Sequence, residues 1–212
     1  MDSWEALVND CEGCTGCGLC QGRHNLVFGI GNRHADILFI GEGPGEQEDL
    51  TGVPFVGPAG KLLDDMLSII DLDRESCYIA NIVKCRPPHN RDPKEEEQEA
   101  CIPYLRRQVE LIQPKMIICL GRIAATKLIR KDFRITKEHG TWCEKGGIPM
   151  TAIYHPSALL RDLTKRPETF DDLLAIRKKA RQLHCFPYRG RLNDPIKVAK
   201  CSTHQKIAQD LK

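Results

Sequence analysis

Four short apolar runs recur along the chain, separated by longer segments with a different periodicity. The runs occupy residues 36–41, 77–85, 115–121 and 148–157. Their apolar residues are consecutive rather than alternating, a pattern typical of strands that are buried on both faces of a sheet. The sequence therefore predicts four buried strands.

Helical periodicity fills most of the chain between these strands. The predicted helices span residues 59–71, 92–114 and 168–182, and a fourth begins at Gly121. Asp92 is suited to cap the second of them, and Pro93 is suited to its first turn. Alternating strands and helices predict an α/β fold, a three-layer αβα arrangement around a central, mostly parallel four-stranded sheet.

Length and charge narrow the class of protein. The chain has 212 residues, with 31 Lys and Arg against 29 Asp and Glu. This balance excludes a polybasic coat but allows a local basic face. No apolar run approaches ~20 residues and no secretory signal is evident, so we expect a cytoplasmic protein with no membrane contact. We expect one domain over 1–185, followed by a polar tail or docking arm over 186–212 with a short helix at 203–211.

Eleven cysteines are the outlier in the composition. Cys11, Cys14, Cys17 and Cys20 follow one another at intervals of three residues. Thiolates at this spacing bind metal ions or iron–sulfur clusters, and without a secretion signal metal binding is favoured over disulfides. Two arrangements stay open: all four bind one site, or one pair is joined by distant cysteines, the best candidates being Cys85 and Cys101. We expect no ligand among the others, which are Cys77, Cys119, Cys143, Cys185 and Cys201.

The loops after the predicted strands are the candidate functional site, because open α/β sheets bind ligands at the carboxyl ends of their strands. The first loop, residues 41–49, is rich in glycine and carries the carboxylates of Glu42 and Glu48. Its acidity disfavours phosphate binding. Carboxylates at a glycine turn suit a neutral base, a water molecule to be oriented, or a developing cation.

Three further residues have the chemistry of a base-binding pocket. Phe55, between proline and glycine, is a candidate ring for stacking, and a place in the core is the alternative. Asn81 interrupts an apolar strand, and its amide can pair with an amide-like edge such as that of uracil. His155 ends the last predicted strand, where a histidine is well placed for acid–base chemistry.

The segment after His155 resembles a surface that contacts DNA. Leu159 and Leu160 lie between Ser157 and Arg161, and exposed apolar side chains can wedge into a DNA stack. Seven positive charges lie between residues 161 and 181 and predict a phosphate-binding face. They are Arg161, Lys165, Arg166, Arg177, Lys178, Lys179 and Arg181.

Eight segments, in order, resemble the family 4 uracil-DNA glycosylases, the iron–sulfur branch of the uracil-DNA glycosylase superfamily. They are CTGCGLCQGR (14–23), VFGIGN (27–32), GEGPGEQED (41–49), PFVGPAGKLL (54–63), YIANIVKCRPP (78–88), EEEQEACIPYL (95–105), LGRIAA (120–125) and HPSALLRD (155–162). The resemblance covers about 10–183 and leaves the tail outside it. It implies a DNA-repair hydrolase that flips uracil out of DNA and leaves an abasic site.

The resemblance also implies a ligand set and residue roles. Cys14, Cys17, Cys85 and Cys101 would hold a [4Fe-4S] cluster, and a shift to Cys11/Cys14 or Cys17/Cys20 stays open. Phe55 would stack on uracil, Asn81 would read its polar edge and backbone near Gly43 would contact it. His155 would donate to the uracil anion, and Glu42 or Glu48 would orient water, Glu48 also crowding the uracil 5-position. Leu159 or Leu160 would fill the vacated stack, with Ser157 and Arg161 at the DNA.

Further expectations and two rival functions follow. We expect a monomer acting on single- or double-stranded DNA containing uracil, with a replication or repair partner docking on the tail. Gln47 departs from the acidic residue common in the family, and Gly43 departs from the motif of the related proteins that trap DNA covalently, so trapping is not expected. One rival is a non-catalytic iron–sulfur module that binds uracil-containing DNA or serves as a replication accessory protein. The other is a ferredoxin-like electron carrier that uses Cys11 to Cys20.

Overall fold

A six-stranded sheet forms the centre of the computed structural model, which describes residues 3–187. Its spatial order is β1-β3-β2-β4-β6-β5. The strands are β1 (Ile30–Gly31), β2 (Ile37–Gly41), β3 (Tyr78–Asn81), β4 (Met116–Leu120), β5 (Cys143–Lys145) and β6 (Ile148–Ile153). The four inner strands are parallel to one another, and the two edge strands are antiparallel to their neighbours.

The predicted α/β fold with a mostly parallel sheet is confirmed, but four was the wrong number of strands. The four predicted strands are the inner ones. The two missed strands have only two and three residues and are half-buried or exposed. They lack the continuous apolar run that marks a buried strand, so the hydrophobic pattern contained no signal for them.

Eight helices pack around this sheet within residues 3–187. They are α1 (Trp4–Glu12), α2 (Glu46–Thr51), α3 (Pro58–Ile69), α4 (Glu95–Ile112), α5 (Arg122–Leu128), α6 (Ile135–Glu138), α7 (Pro156–Arg161) and α8 (Arg166–Gln182). Short 3₁₀ turns occupy Gly18–Gln21, Pro88–Asn90 and Leu163–Lys165. No helix in the described part is long and apolar enough to cross a membrane.

Helix α4 begins three residues later than its sequence pattern predicted. Lys94, not Asp92, precedes its first turn, and the Glu97 carboxylate accepts the Lys94 N–H at 2.7 Å. Glu97 also pairs with Arg91, with 2.6 Å between Nη2 and Oε1. Asp92 is therefore released from capping and pairs instead with Arg122 on α5.

Burial on both faces of the sheet explains the continuous apolar strands. Ile37 and Phe39 of β2 face the core layer beneath α3 and α8. Leu38 and Ile40 face the opposite layer beneath α4 and α5. The three layers place the carboxyl ends of β2, β3, β4 and β6 along one edge of the molecule.

Two predicted segments differ at their ends. The strand expected over 77–85 stops pairing as a strand at Asn81, although the Ile82 and Val83 amides still donate to the carbonyls of Gly41 and Glu42. The predicted tail lies outside the described residues except for 186 and 187, as does the helix predicted at 203–211.

Candidate active site and cysteine cavity

A cleft of about 550 Å³ opens at the carboxyl ends of the inner strands. Eight of the ten predicted residues other than cysteine line it. They are Glu42, Gly43, Glu48, Phe55, Asn81, His155, Ser157 and Arg161. Leu159 and Leu160 do not line it. The cleft also contains Asp92, Arg122 and Lys165, to which sequence reasoning gave no role in the pocket.

Asn81 is a buried polar residue in the wall of the cleft. The residue is 1% exposed, and its side-chain oxygen Oδ1 has no hydrogen-bond partner among the described residues. Buried polar atoms of this kind are rare and mark places where a ligand or water completes the hydrogen bonding. The Asn81 oxygen is therefore an acceptor available to a bound molecule.

Phe55 lies beside this acceptor in a strained backbone conformation. Its φ is +55°, and Arg74 holds the preceding carbonyl of Pro54 at 3.0 Å. Gly60 is required here, because a Cβ at that position would lie 1.7 Å from the Phe55 carbonyl oxygen. The Phe55 ring lies 5.6 Å from the His155 ring between centroids. The ring therefore lines the cleft while it also packs, 6% exposed, at the edge of the hydrophobic core.

His155 is a buried neutral imidazole whose proton position follows from its contacts. Burial, with the charge of Arg161 adding to it, lowers the pKa of His155 to about 4. The Ser157 amide donates to Nδ1 at 3.2 Å, and the Ser157 hydroxyl lies 2.8 Å from the same nitrogen. Because Nδ1 accepts, the single proton of the neutral ring is on Nε2. His155 therefore offers one N–H donor on the side away from Ser157.

The two predicted acids differ in environment. Glu48 Oε1 accepts the Val56 and Gly57 amides at 2.9 and 3.0 Å, and Oε2 accepts the Gly45 amide at 3.0 Å. Glu48 thus holds together the two loops that bear Glu42 and Phe55.

Glu42 has its pKa raised to about 7 by burial and then by Asp92, which is also hydrogen bonded to it, while Arg122 and Arg161 act in the opposite direction. A carboxyl group whose pKa lies close to the working pH is suited to accept a proton. Asp92 was missed because its position before a helix predicted a cap, and its approach to Glu42 depends on the tertiary fold.

The rim of the cleft corrects one predicted wedge residue. The segment expected as a loop is helix α7, and Leu159 is 2% exposed and packs into the core. Leu160 is 42% exposed on the same helix. Helical geometry points adjacent residues in different directions, so only Leu160 is available to a partner.

The predicted basic face is smaller than the charge count suggested. Arg177 is 6% exposed and pairs with Asp71. Its charge is therefore neutralised within the fold and does not contribute to a DNA-binding surface. Arg161 and Lys165 do line the cleft beside α7.

Six cysteines line a second cavity, together with residues 83 and 84, which follow β3 along the chain. The cysteines are Cys11, Cys14, Cys17, Cys20, Cys85 and Cys101. Three of their sulfurs accept hydrogen bonds: Cys85 from Arg23 at 3.4 Å, Cys101 from the Lys84 amide at 3.3 Å, and Cys14 from the Gly16 amide at 3.4 Å. All ten described cysteines are free thiols, and Cys77, Cys119, Cys143 and Cys185 do not line this cavity.

Comparison with known proteins agrees with this arrangement. Residues 28–177, more than half of the chain, match the family model described as the uracil DNA glycosylase superfamily. A type-4 uracil-DNA glycosylase of Archaeoglobus fulgidus is 45% identical over 186 residues, covering 83% of this chain and 92% of that protein. One from Sulfurisphaera tokodaii is 44% identical over 198 residues, covering 89% and 88%. One from Thermotoga maritima is 48% identical over 153 residues, covering 70% and 79%.

A family match over most of the fold and relatives aligned over most of both chains define the class of protein. The chain belongs to the uracil-DNA glycosylase superfamily and, within it, to family 4, whose members are the type-4 enzymes. The family resemblance of the sequence motifs is thereby confirmed.

Proposed function

We propose that this protein removes uracil from DNA by hydrolysing its N-glycosidic bond. The observation that carries the proposal is the buried, unpartnered side-chain oxygen of Asn81 in a cleft that Phe55 also lines. The N3–H of uracil is a donor of the right kind for that oxygen, and cytosine has no hydrogen there. An acceptor that is buried in this way is reached only by a base that has left the helix stack.

The reaction places a separate demand on each end of the breaking bond. As the bond between uracil N1 and the sugar C1′ breaks, negative charge develops on uracil and positive charge on the sugar. His155 donates its Nε2–H to the uracil O2, and Phe55 stacks on the ring. Glu42 accepts a proton from the water whose oxygen bonds to C1′. Uracil N1 takes a proton from solvent, and Glu42 returns its proton to solvent, so that the overall reaction consumes one water. The products are an abasic site and free uracil.

Positioning belongs to the residues around these groups. Glu48 acts by holding the loops of Phe55 and Glu42, since its carboxylate accepts three backbone amides from those loops. Gly43 contributes backbone close to the base. Ser157 fixes the His155 proton, and Arg161 with Lys165 contacts phosphate. The substrate is uracil-containing DNA, so we expect the protein to be located in the compartment that contains the genome.

Leu160 is proposed to fill the gap left by the flipped base. We expect Leu160→Ala to slow excision from duplex DNA by about tenfold, because the cost of leaving the stack is a few kcal/mol. Single-stranded substrate should be affected less than about twofold, since no stack needs to be filled. Leu50→Ala is the control, because Leu50 is a comparably exposed leucine outside the cleft. Equal losses on both substrates would contradict the wedge.

A [4Fe-4S] cluster held by Cys14, Cys17, Cys85 and Cys101 is proposed for the cysteine cavity. Within residues 3–187 no three Cys, His, Asp or Glu side chains are arranged to hold a single metal ion. The cavity brings together more than the four thiolates that a cluster needs, and N–H groups directed at three of its sulfurs are the outer contacts that such clusters have. When bound, the cluster would cross-link the N-terminal arm, the segment that bears Cys14 and Cys17, to α4, which bears Cys101. Its role would be structural, because hydrolysis transfers no electron.

The ligand set predicts different outcomes for two neighbouring cysteines. Cys85→Ala should lose the visible absorbance and the iron content of the protein and lower its Tm, because the arm and α4 lose their common anchor. Cys20→Ala should retain the visible absorbance and the iron content, although Cys20 lines the same cavity. Loss of iron in Cys20→Ala with retention in Cys14→Ala would instead identify Cys17 and Cys20 as the pair.

The proposed function is tested by incubating the protein with matched oligonucleotides that contain one uracil, one thymine or one cytosine, followed by alkali. Cleavage of the uracil strand alone is expected. Binding of uracil-containing DNA without an abasic site would favour the rival, a non-catalytic iron–sulfur binding module.

A further inference from the structure

Three consecutive residues join the cysteine cavity to the uracil cleft. Arg23 donates to Cys85 Sγ at 3.4 Å, to the Cys14 carbonyl at 3.1 Å and to the Glu12 carbonyl at 2.7 Å. The next two residues, His24 and Asn25, turn to the opposite side and contact helix α2. Neither His24 nor Asn25 lines the cleft or the cysteine cavity.

His24 holds a buried carboxylate on α2. Its backbone amide donates to Asp49 Oδ1 at 2.9 Å, and its ring Nδ1 lies 2.6 Å from Asp49 Oδ2. The Asp49 side chain is 1% exposed, whereas that of His24 is 65% exposed. A buried carboxylate without donors is costly, so this pair strongly restricts where α2 can lie.

Asn25 holds the end of the same helix. Its side-chain Nδ2 donates to the carbonyls of Asp49 and Leu50 at 2.8 and 3.0 Å. Carbonyls in the last turn of a helix have no partner within the helix. The two residues together therefore fix both the side chain and the backbone of the C-terminal half of α2.

Helix α2 carries the residue that organises the cleft. Glu48 precedes Asp49 and bonds the Val56 and Gly57 amides next to Phe55. Displacement of α2 would therefore move the Phe55 ring relative to Asn81 and His155. Small displacements of groups around a reacting centre can cost as much as about 10²-fold in rate.

We propose that His24 and Asn25 are positioning residues. Through Asp49 they couple the position of the N-terminal arm, which bears Cys14 and Cys17, to the position of α2 and hence to the uracil pocket. This inference rests on the proposed function for its kinetic consequence. The inference gives the cluster a role in a protein that performs hydrolysis. The cluster would anchor the N-terminal arm, and the arm fixes the position of α2.

The test compares the double variant His24→Ala/Asn25→Ala with His34→Ala, an exposed histidine elsewhere on the chain. The double variant should keep the iron content and visible absorbance of the wild type. Its kcat on a uracil oligonucleotide should fall by about tenfold with KM for DNA within about twofold, because phosphate contacts are unchanged. The single variant His24→Gln keeps the native Asn25 and restores a side-chain donor at position 24. It should recover most of the kcat that the double variant loses.

Hydrogen exchange provides a readout that does not depend on activity. Amides of residues 46–57 should exchange faster in the double variant, and amides of 95–112 should not. Unchanged exchange at 46–57, loss of the cluster, or a rise in KM alone would overturn the inference. An inactive wild type would overturn the proposed function, and the exchange result would still decide whether the arm holds α2.

Discussion

Replacing His155 with alanine is expected to lower kcat for uracil excision by about 10²- to 10³-fold, the usual effect of removing one preorganised donor from developing negative charge. The proposed charge appears on uracil as the glycosidic bond breaks. The donor is the Nε2–H of a ring that is already neutral, so no proton has to be acquired first. Single-turnover excision from a single-stranded uracil oligonucleotide measures the effect without a limiting contribution from duplex opening.

Ser157→Ala is the matched control for this prediction. It removes the hydroxyl near Nδ1 but leaves the amide that keeps the proton on Nε2. A loss of less than about tenfold is expected, in line with one neutral hydrogen bond. Because the pKa of His155 is about 4, the ring stays neutral from pH 5 upward and should add no pH dependence there. A His155→Ala variant that folds and works within tenfold of wild type would exclude the proposed donor.

The central layers of the fold were predictable because burial on both faces leaves a continuous apolar run. Strands β2 and β4 were predicted nearly to the residue for that reason. The edge strand Cys143–Lys145 has no such run, because one side of it faces solvent. Its pairing with β6 is a consequence of chain proximity in the folded state, which hydrophobic periodicity does not encode.

Which residues share the site was predictable, but what each one contacts was not. The rule that parallel sheets bind ligands at strand carboxyl ends brought Glu42, Asn81 and His155 to one cleft. The different environments of Glu42 and Glu48 depend on amides from residues 56 and 57, which no local pattern reveals. Leu159 and Leu160 are likewise equivalent in sequence and differ only once α7 is packed on the core.

Glu42 is expected to impose a pH limb near neutrality on uracil excision. Burial and Asp92 raise its pKa to about 7, so the carboxylate that accepts a proton from water exists mainly above that pH. The rate should therefore rise about tenfold per pH unit up to roughly pH 7 and level off above it. Glu42→Gln should remove this limb and lower the plateau by about 10²-fold or more. Single-turnover rates between pH 5 and 9 at constant ionic strength measure both effects.

Asp92→Asn separates this assignment from a titration elsewhere in the protein. The substitution removes the negative charge that faces Glu42 and leaves the cations Arg122 and Arg161 in place. The carboxylate form of Glu42 then becomes easier to reach, so the limb should move to lower pH with a similar plateau. An unmoved limb in Asp92→Asn, or a limb that persists in Glu42→Gln, would assign the titration to another group and would leave the positioning of water to Glu48.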